Sequence, residues 1–167
     1  MEGLSKKEIE VISELEFYEK YYFTREDIIH HFKNKSSMNH TIHKLLKKKR
    51  IISLNKNKYY LVPIKAKSGS WVDHSFIVVD EVMNGEDYYI GGWSSAHYWR
   101  LTEQVPMKIE VYSKKRSGKK RYLNTSIIFR KTRENKFKEV VTKKMNGHTF
   151  KILNKEASKK WFSKTDN

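Results

Sequence analysis

The sequence predicts an α+β protein, and three patterns support that fold class. Apolar residues recur at helical spacing through most of the first 50 residues. Short runs rich in Ile, Leu, Tyr and Val then flank a polar linker between residues 51 and 63, as in a β-hairpin. Four further segments beyond residue 106 are rich in β-branched and aromatic residues. The expected organisation is two domains, 1–64 and 72–167, separated by the polar segment AKSGS.

The first predicted helix begins at Lys6. Ser5 and Glu8 have the spacing of a capping box, in which each side chain satisfies a backbone N–H near the helix start. The buried stripe of this helix should comprise Val11, Leu15, Tyr18 and Tyr22. The glutamates of the same segment would repel DNA, so we expect this helix to pack behind any DNA-binding surface.

Two further helices are predicted in the first domain. Thr24, with Asp27 three residues later, starts a short second helix. Ser36 or Ser37 caps a third helix that runs to about Arg50. The apolar side of the third helix comprises Met38, Ile42, Leu45 and Leu46. The opposite side carries imidazole and ammonium groups and no carboxylate: His40, His43, Lys44 and Lys47.

A predicted hairpin, IISL–NKNK–KYYLVP, completes an order of elements typical of a winged helix-turn-helix. In that fold the third helix enters the major groove of double-stranded DNA, and the wing contacts phosphates or the minor groove. We place Lys56 and Lys58 at the wing tip. The predicted DNA-binding residues are Ser36, Ser37, Asn39, His40, His43, Lys44, Lys47, Lys56 and Lys58. Dimerisation or protein docking is the alternative role, since lysines also favour helix C-termini.

Basic residues are concentrated in two parts of the chain, whose formal net charge is +16. No acidic residue lies between Asp27 and Asp73, whereas eleven Lys and Arg residues do. A second basic segment, 113–121, is expected to be a turn and contains Lys114, Lys115, Arg116, Lys119, Lys120 and Arg121. Clustered cations bind polyanions through counterion release, so both parts are candidate nucleic-acid surfaces. The alternative for the second segment is a solvated loop that aids solubility.

Composition disfavours several classes of protein. The chain has no cysteine, which excludes disulfides and thiolate metal sites. It shows neither a secretory signal nor an apolar run of about 18–20 residues, so we expect a cytoplasmic protein that does not enter membranes. Two histidine pairs, His30–His31 and His40–His43, could bind zinc only if a third ligand were supplied elsewhere. Exposed histidines without metal are commoner, so we predict neither a metal nor a cofactor.

The second domain is predicted to combine short helices with a mixed or antiparallel sheet. A helix at 75–84, a short apolar segment at 88–90 and a turn at Gly91-Gly92 come first. Ser94 or Ser95 then caps a short helix that runs to Trp99. Strands are expected at 107–112, 121–130, 137–142 and 148–153. Trp93, Tyr98 and Trp99 should pack in the core, which leaves His97 and Arg100 for a polar role.

Two segments of the second domain, Tyr89–Ala96 (YIGGWSSA) and Leu101–Pro106 (LTEQVP), resemble the AbiEi family. This family comprises antitoxins of type IV toxin–antitoxin (abortive infection) systems that are also transcriptional regulators. Tyr22–Thr24 and Tyr59–Pro63 match the family's N-terminal module in order and spacing. The family usually has Gly where this chain has Arg100. Longer members continue beyond the segment equivalent to 157–162, so we expect a short or incomplete antitoxin domain.

The resemblance implies a division of labour between the two domains. The N-terminal winged helix would bind repeats at the promoter and repress the protein's own operon, with a dimer on the DNA as one arrangement. The C-terminal domain would counter a nucleotidyltransferase-like toxin encoded next to it, without requiring a stable complex.

Two other functions stay open from the sequence. A DNA-directed nuclease needs clustered carboxylates for a divalent metal and usually an acid-x-Lys triplet on a strand. Only Glu134-Asn135-Lys136 has that form, and it lies in a segment expected to be a turn, so we expect no catalytic activity. A transcriptional regulator without a toxin partner is the other function, and gene neighbourhood would separate it from an antitoxin.

Overall fold

The computed structural model describes residues 3–64 and 73–165 and has the expected α+β fold class. The chain divides into two compact units, Met1–Trp71 and Val72–Asn167, here called the N-terminal and the C-terminal unit. Within the described residues, no helix combines the length and the apolar character that crossing a membrane requires.

The N-terminal unit contains three helices and a small antiparallel sheet. The helices are α1 (Lys6–Phe17), α2 (Arg25–Ile28) and α3 (Lys35–Lys47), and a 3₁₀ turn at Ile29–His31 follows α2. The strands are β1 (Tyr22–Thr24), β2 (Ile51–Ser53) and β3 (Lys58–Leu61). They lie in the order β1-β3-β2, with the hairpin in the register Ile51 opposite Leu61.

Capping residues define where these helices begin. The predicted capping box of α1 is present, with the Glu8 side chain accepting from the backbone N–H of Ser5 at 2.5 Å. The cap of α3 is Asn34 and not Ser36 or Ser37, because Asn34 Oδ1 already accepts from the backbone N–H of Ser37 at 2.9 Å. Asn is as good a cap as Ser, and it comes earlier in the chain.

Helix ends differ from the prediction because non-glycine residues adopt left-handed backbone conformations there. α1 ends at Phe17, since Glu19 has φ 51°, and Tyr18 is therefore 70% exposed. Tyr22, predicted on the same helical stripe, lies instead on β1 opposite Tyr60. Lys49 has φ 56° and ends α3 before Arg50.

The core of the N-terminal unit fixes the orientation of α3. Its fully buried members include Val11 of α1, Phe23 of β1 and Tyr59 of β3. The side of α3 that faces them is formed by Met38, Thr41, Ile42 and Leu45. The opposite side of α3 therefore faces outward.

The C-terminal unit is built around a six-stranded mixed sheet. Its strands are β4 (Tyr88–Ile90), β5 (Ile109–Ser113), β6 (Gly118–Tyr122), β7 (Thr125–Lys131), β8 (Val140–Met145) and β9 (His148–Leu153). They lie in the order β6-β7-β5-β4-β9-β8, and the pairs β5–β7 and β4–β9 are parallel. Three helices accompany them: α4 (Ser75–Met83), α5 (Gly92–Tyr98) and α6 (Lys155–Thr165).

Strand boundaries in this unit depart from the sequence prediction. The single strand expected at 121–130 is two strands, β6 and β7, because Leu123 adopts φ 51° in a tight turn between them. The strand expected at 137–142 begins only at Val140, after a 3₁₀ turn at Glu134–Glu139. The first strand, expected at 107–112, runs from Ile109 to Ser113.

The glycine pair at the start of α5 allows a close approach to β5. α5 begins at Gly92 with Gly91 as its cap, so Ser94 and Ser95 lie inside the helix and are not its cap. Gly92 has φ 58°, and a Cβ at this position would lie 2.1 Å from Oε2 of Glu110. The Ser94 hydroxyl instead accepts from the backbone N–H of Glu110 at 3.0 Å.

Helix α5 ends in a turn at Arg100. Arg100 has φ 57° there, a backbone conformation that favours glycine. Its N–H donates to the carbonyl of His97 at 3.0 Å, and Leu101 N–H donates to Ala96 at 2.9 Å. The turn is thus formed with an arginine in the glycine position. Trp93, Tyr98 and Trp99, expected in the core, are only partly buried. The Trp99 indole N–H donates to the carbonyl of Leu153 at 2.8 Å.

Candidate nucleic-acid interface

The outward side of α3 carries all seven predicted DNA-binding residues of this helix. We call this surface the α3 basic face, and it comprises Ser36, Ser37, Asn39, His40, His43, Lys44 and Lys47, all exposed. The sequence of α3 contains no carboxylate. Since Met38, Ile42 and Leu45 anchor the helix in the core, the face is held in a fixed orientation.

A buried ion pair between Glu8 and Lys48 neutralises a carboxylate beside the C-terminal end of α3. The Glu8 carboxylate on α1 accepts from the Lys48 ammonium at 2.8 and 3.0 Å, and Lys48 also donates to the carbonyl of Gly3. Burial opposes ionisation of Glu8, but hydrogen bonds from Lys48 and Ser5 outweigh it and hold its pKa below the ordinary value. The carboxylate is therefore neutralised by its partner and is not presented to solvent.

Arg25 connects α3 to the turn between β2 and β3, a role that the sequence analysis missed. Its guanidinium donates to the carbonyl of Lys56 at 2.7 Å and to Oδ1 of Asn39 at 3.3 Å. It also lies 5.3 Å from the ring centroid of Tyr59. In the sequence Arg25 is only the residue after the helix cap Thr24. Its partners Asn39 and Lys56 are distant in the chain, so local sequence patterns could not predict these contacts.

A groove of about 580 Å³ runs beside the α3 basic face. Arg25 and Glu26 of α2, Lys35, Asn39 and His43 of α3, and Tyr59 of β3 contribute to its lining. Two residues of the basic face, Asn39 and His43, thus border a concave surface whose opposite wall is α2. This arrangement offers side-chain amide and imidazole groups together with apolar surface.

The β2–β3 turn is organised by one asparagine. Asn55 Oδ1 accepts from the backbone N–H groups of Asn57 and Lys58, both at 3.0 Å. Lys56 is exposed within this turn, as predicted for a wing tip. Lys58 is not at the tip, because it begins β3 and pairs with Thr24 of β1.

Two members of the second basic segment are engaged by acidic residues. Lys114 Nζ lies 3.0 Å from Asp87 and 2.6 Å from Glu134, and Lys115 Nζ lies 3.3 Å from Asp87. Hydrogen bonding from Lys114 lowers the pKa of Asp87, and hydrogen bonding to Glu134 and Asp87 raises the pKa of Lys114. Glu134, the acidic residue of the acid-x-Lys triplet, is an exposed ion-pair partner on a 3₁₀ turn.

The other four basic residues of that segment lie on an edge strand or just before it. The turn predicted for 113–121 is shorter than expected, because Lys119, Lys120 and Arg121 lie on β6 at one edge of the sheet. Arg116 and Lys120 each lie over an aromatic ring, at 5.7 and 5.1 Å from its centroid. Exposed lysines on an edge strand also discourage pairing with other chains, so their charge has a structural role as well.

One group of side chains in the described residues brings three candidate metal ligands together. Nε2 of His30 lies 2.8 Å from Oε1 of Glu14, and Nε2 of His31 lies 3.1 Å from Oε2. All three ligand atoms lie within 4.8 Å of one another. The sequence analysis noted the histidine pair but not Glu14, which is on α1 and distant in the chain.

Comparison with known proteins identifies a related fold but no family. No protein-family model matches the chain, and no curated protein matches it at a significant level. A similar solved structure is the crystal structure of the RV2827C protein from Mycobacterium tuberculosis, with a TM-score of 0.57 and 12% sequence identity. The match covers 84% of this chain and 50% of that one, so the chain spans half the length of that structure. At this identity the likeness concerns the fold alone.

Proposed function

We propose that the N-terminal unit is a winged helix-turn-helix that binds double-stranded DNA. In this proposal α3 is the recognition helix in the major groove, and the β2–β3 turn is the wing. The observation that carries it is the α3 basic face, whose seven exposed residues include no carboxylate. The order of helices followed by a hairpin, with a third strand β1 closing the sheet, supports the same assignment.

The residues of the α3 basic face suit two kinds of DNA contact. Lys44, Lys47 and the wing-tip Lys56 carry ammonium groups that bind phosphates and fix the position of the protein. Asn39 and His43 offer amide and imidazole groups that hydrogen-bond base edges in the major groove. We therefore assign discrimination between DNA sequences to Asn39 and His43, which border the groove of the protein. We assign most of the affinity for DNA to the three lysines.

The biological role follows from the resemblance to the AbiEi family. The protein is proposed to be an autorepressing antitoxin: the N-terminal unit binds promoter repeats, as a dimer or as paired copies. The C-terminal unit counters a nucleotidyltransferase-like toxin encoded next to it, without requiring a stable complex. The support is the resemblance of the YIGGWSSA segment, in which Gly92 adopts φ 58° and Gly91 lies against the Tyr112 ring.

Salt dependence of DNA binding tests the first part of this proposal. Fluorescence anisotropy with a random duplex should show binding by the full chain that weakens with salt. The double variant Lys44→Ala, Lys47→Ala should reduce the slope of log K against log salt by about 1.8, at roughly 0.9 for each phosphate that is no longer neutralised. The control Lys138→Ala, Lys144→Ala removes the same charge from exposed positions of the C-terminal unit. Equal slopes for the two double variants would rule out α3 as the DNA-binding surface.

Co-expression tests the antitoxin role. The full chain should rescue growth when the neighbouring nucleotidyltransferase gene is induced. Lys44→Glu with Lys47→Glu should abolish repression of a promoter reporter and retain the rescue, because the two activities are assigned to different units. If that variant loses both activities while remaining folded, the proposed division of labour is wrong.

A further inference from the structure

Glu14, His30 and His31 form a cluster between α1 and the 3₁₀ turn that follows α2. Each imidazole directs its Nε2 atom at a different oxygen of the same carboxylate, at 2.8 and 3.1 Å. The two imidazole rings lie 4.2 Å apart between centroids. Two aromatic nitrogens and a carboxylate thus converge on one small volume.

Hydrogen bonding among the described residues leaves one atom of this cluster unsatisfied. The His31 side chain is only 13% exposed, and its Nε2 atom is inaccessible to solvent. That atom makes no hydrogen bond of normal geometry with any described residue, although Glu14 is near. A buried polar atom without a partner is costly, and native proteins usually satisfy it with a ligand, a water or an ion.

The candidate ligand atoms of the three side chains lie within 4.8 Å of one another, close enough to share one metal ion. Zn²⁺ bonds of about 2.0–2.2 Å in a tetrahedron place neighbouring ligand atoms roughly 3.3–3.5 Å apart. The separations of 2.8 and 3.1 Å from the two histidines to the Glu14 oxygens are shorter than this, so the side chains would move slightly apart to admit an ion. We propose that Glu14, His30 and His31 bind one Zn²⁺ ion, with water in the fourth position.

The charges around the cluster favour a cation. Glu14 brings a carboxylate to the cluster, and its ion-pair partners in the described residues are the two imidazoles. Glu10 lies one turn earlier on α1, where Lys7 pairs with it. Neutral imidazoles and an ionised carboxylate are the forms that ligate zinc.

Such an ion would tie together two parts of the N-terminal unit that are distant in sequence. Glu14 is in the third turn of α1, whereas His31 is three residues before Asn34, the cap of α3. The metal would hold the 3₁₀ turn against α1 and thereby fix the position at which α3 begins. This consequence for stability does not depend on whether α3 binds DNA.

Metal binding is tested on the untagged full chain after removal of metal with EDTA. Titration calorimetry with ZnCl₂ should give one site per chain. The Tm should rise by about 10 °C when zinc is present at about one hundred times its Kd. Co²⁺ in place of zinc should produce the intense visible absorption of a four-coordinate site.

Variants identify the ligands. His30→Ala, His31→Ala and Glu14→Gln should each weaken zinc binding by roughly a hundredfold, since loss of even an outer-shell partner costs about 10–100-fold. Glu14→Gln keeps the shape of a half-exposed side chain and serves if a histidine variant fails to fold. The matched control is His148→Ala, which removes a histidine that lies 3.5 Å from Glu81 in another histidine–glutamate pair. Its zinc affinity should equal that of the parent.

Two results would overturn the proposal. One is the absence of zinc-dependent heat and of any Tm change in the parent chain. The other is zinc binding that survives the three variants but is lost in His40→Ala, His43→Ala, which would place the metal on α3.

Discussion

The interactions of Arg25 predict that a single side chain positions the β2–β3 turn relative to α3. Arg25→Ala removes the hydrogen bonds to Lys56 and Asn39 and the packing against the Tyr59 ring. Both units should remain folded, because Arg25 is not itself a core residue and only covers the outer face of the Tyr59 ring. The β2–β3 turn would lose its main link to α3.

The expected magnitude follows from these interactions. The 2.7 Å hydrogen bond to Lys56, from a charged donor at an exposed site, contributes about 1.5 kcal/mol, and the exposed cation–π interaction adds about 0.5 kcal/mol. The 3.3 Å bond to Asn39 is longer than the usual range and is not counted. Ordering a long arginine side chain costs roughly 1 kcal/mol or somewhat more. The net loss is therefore about 1 kcal/mol. It corresponds to a fall in DNA affinity of about fivefold, if the wing must be reordered on binding.

Anisotropy measured over a range of salt concentrations separates positioning from direct binding of phosphate. For Arg25→Ala we expect weaker binding with the salt slope of the parent, since the same phosphates remain neutralised. Arg25→Lys should behave in the same way, because an ammonium cannot reproduce the planar fork that reaches both Lys56 and Asn39. The reasoning is refuted if the slope falls by about 0.9 in Arg25→Ala and the lysine variant restores it, since Arg25 would then be a phosphate ligand.

Three stability predictions concern buried charge and backbone conformation. Lys48→Met leaves the Glu8 carboxylate buried without its partner and should lower the free energy of unfolding at pH 7 by about 1–3 kcal/mol. The pKa of Glu8 is depressed in the folded parent, so the extra free energy of unfolding of the parent over the variant is fully present above the ordinary value of 4.5. It should be lost as the pH falls below 4.5 and through the lowered pKa of the folded state. Urea titrations from pH 7 to pH 3 measure this difference in free energy of unfolding, and a difference that did not change with pH would contradict the prediction. Gly92→Ala should destabilise the C-terminal unit by about 1–2 kcal/mol, because alanine is strained at φ 58° and its Cβ would displace the Glu110 carboxylate; an unchanged Tm would show that both are accommodated without cost. Arg100→Gly should stabilise the same unit by about 0.5–1 kcal/mol, because glycine adopts φ 57° without steric cost, and a lower Tm would mean that the arginine side chain makes a stabilising interaction.

Features that depend on neighbouring residues could be predicted from the sequence. The capping box of Ser5 and Glu8 is a local pattern, and so is the hairpin whose strands pair Ile51 with Leu61. The outward face of α3 follows from helical periodicity alone, because Met38 and Ile42 determine which side is buried. The α+β class rests on the same local information.

Features that depend on tertiary partners could not be predicted. Between residues 4 and 62 the chain contains neither Gly nor Pro, so neither residue type marks the ends of α1 and α3 before the left-handed Glu19 and Lys49. Strand β1 has three residues and exists only because β3 pairs with it. The link from Arg25 to the β2–β3 turn, and the approach of Glu14 to the histidine pair, likewise require the folded chain.

The order of strands in the C-terminal sheet has a consequence for synthesis on the ribosome. β4 is the first strand of that sheet, and one of its two neighbours is β9, through the pairing of Ile90 with Ile152. The sheet therefore cannot be completed until the last strand has left the exit tunnel, whereas every strand of the N-terminal unit is available once Leu61 has emerged. Chains released early would carry a finished N-terminal unit beside an incomplete sheet with an unpaired edge at β4. Such fragments should be the main substrates of chaperones and proteases during production of this protein.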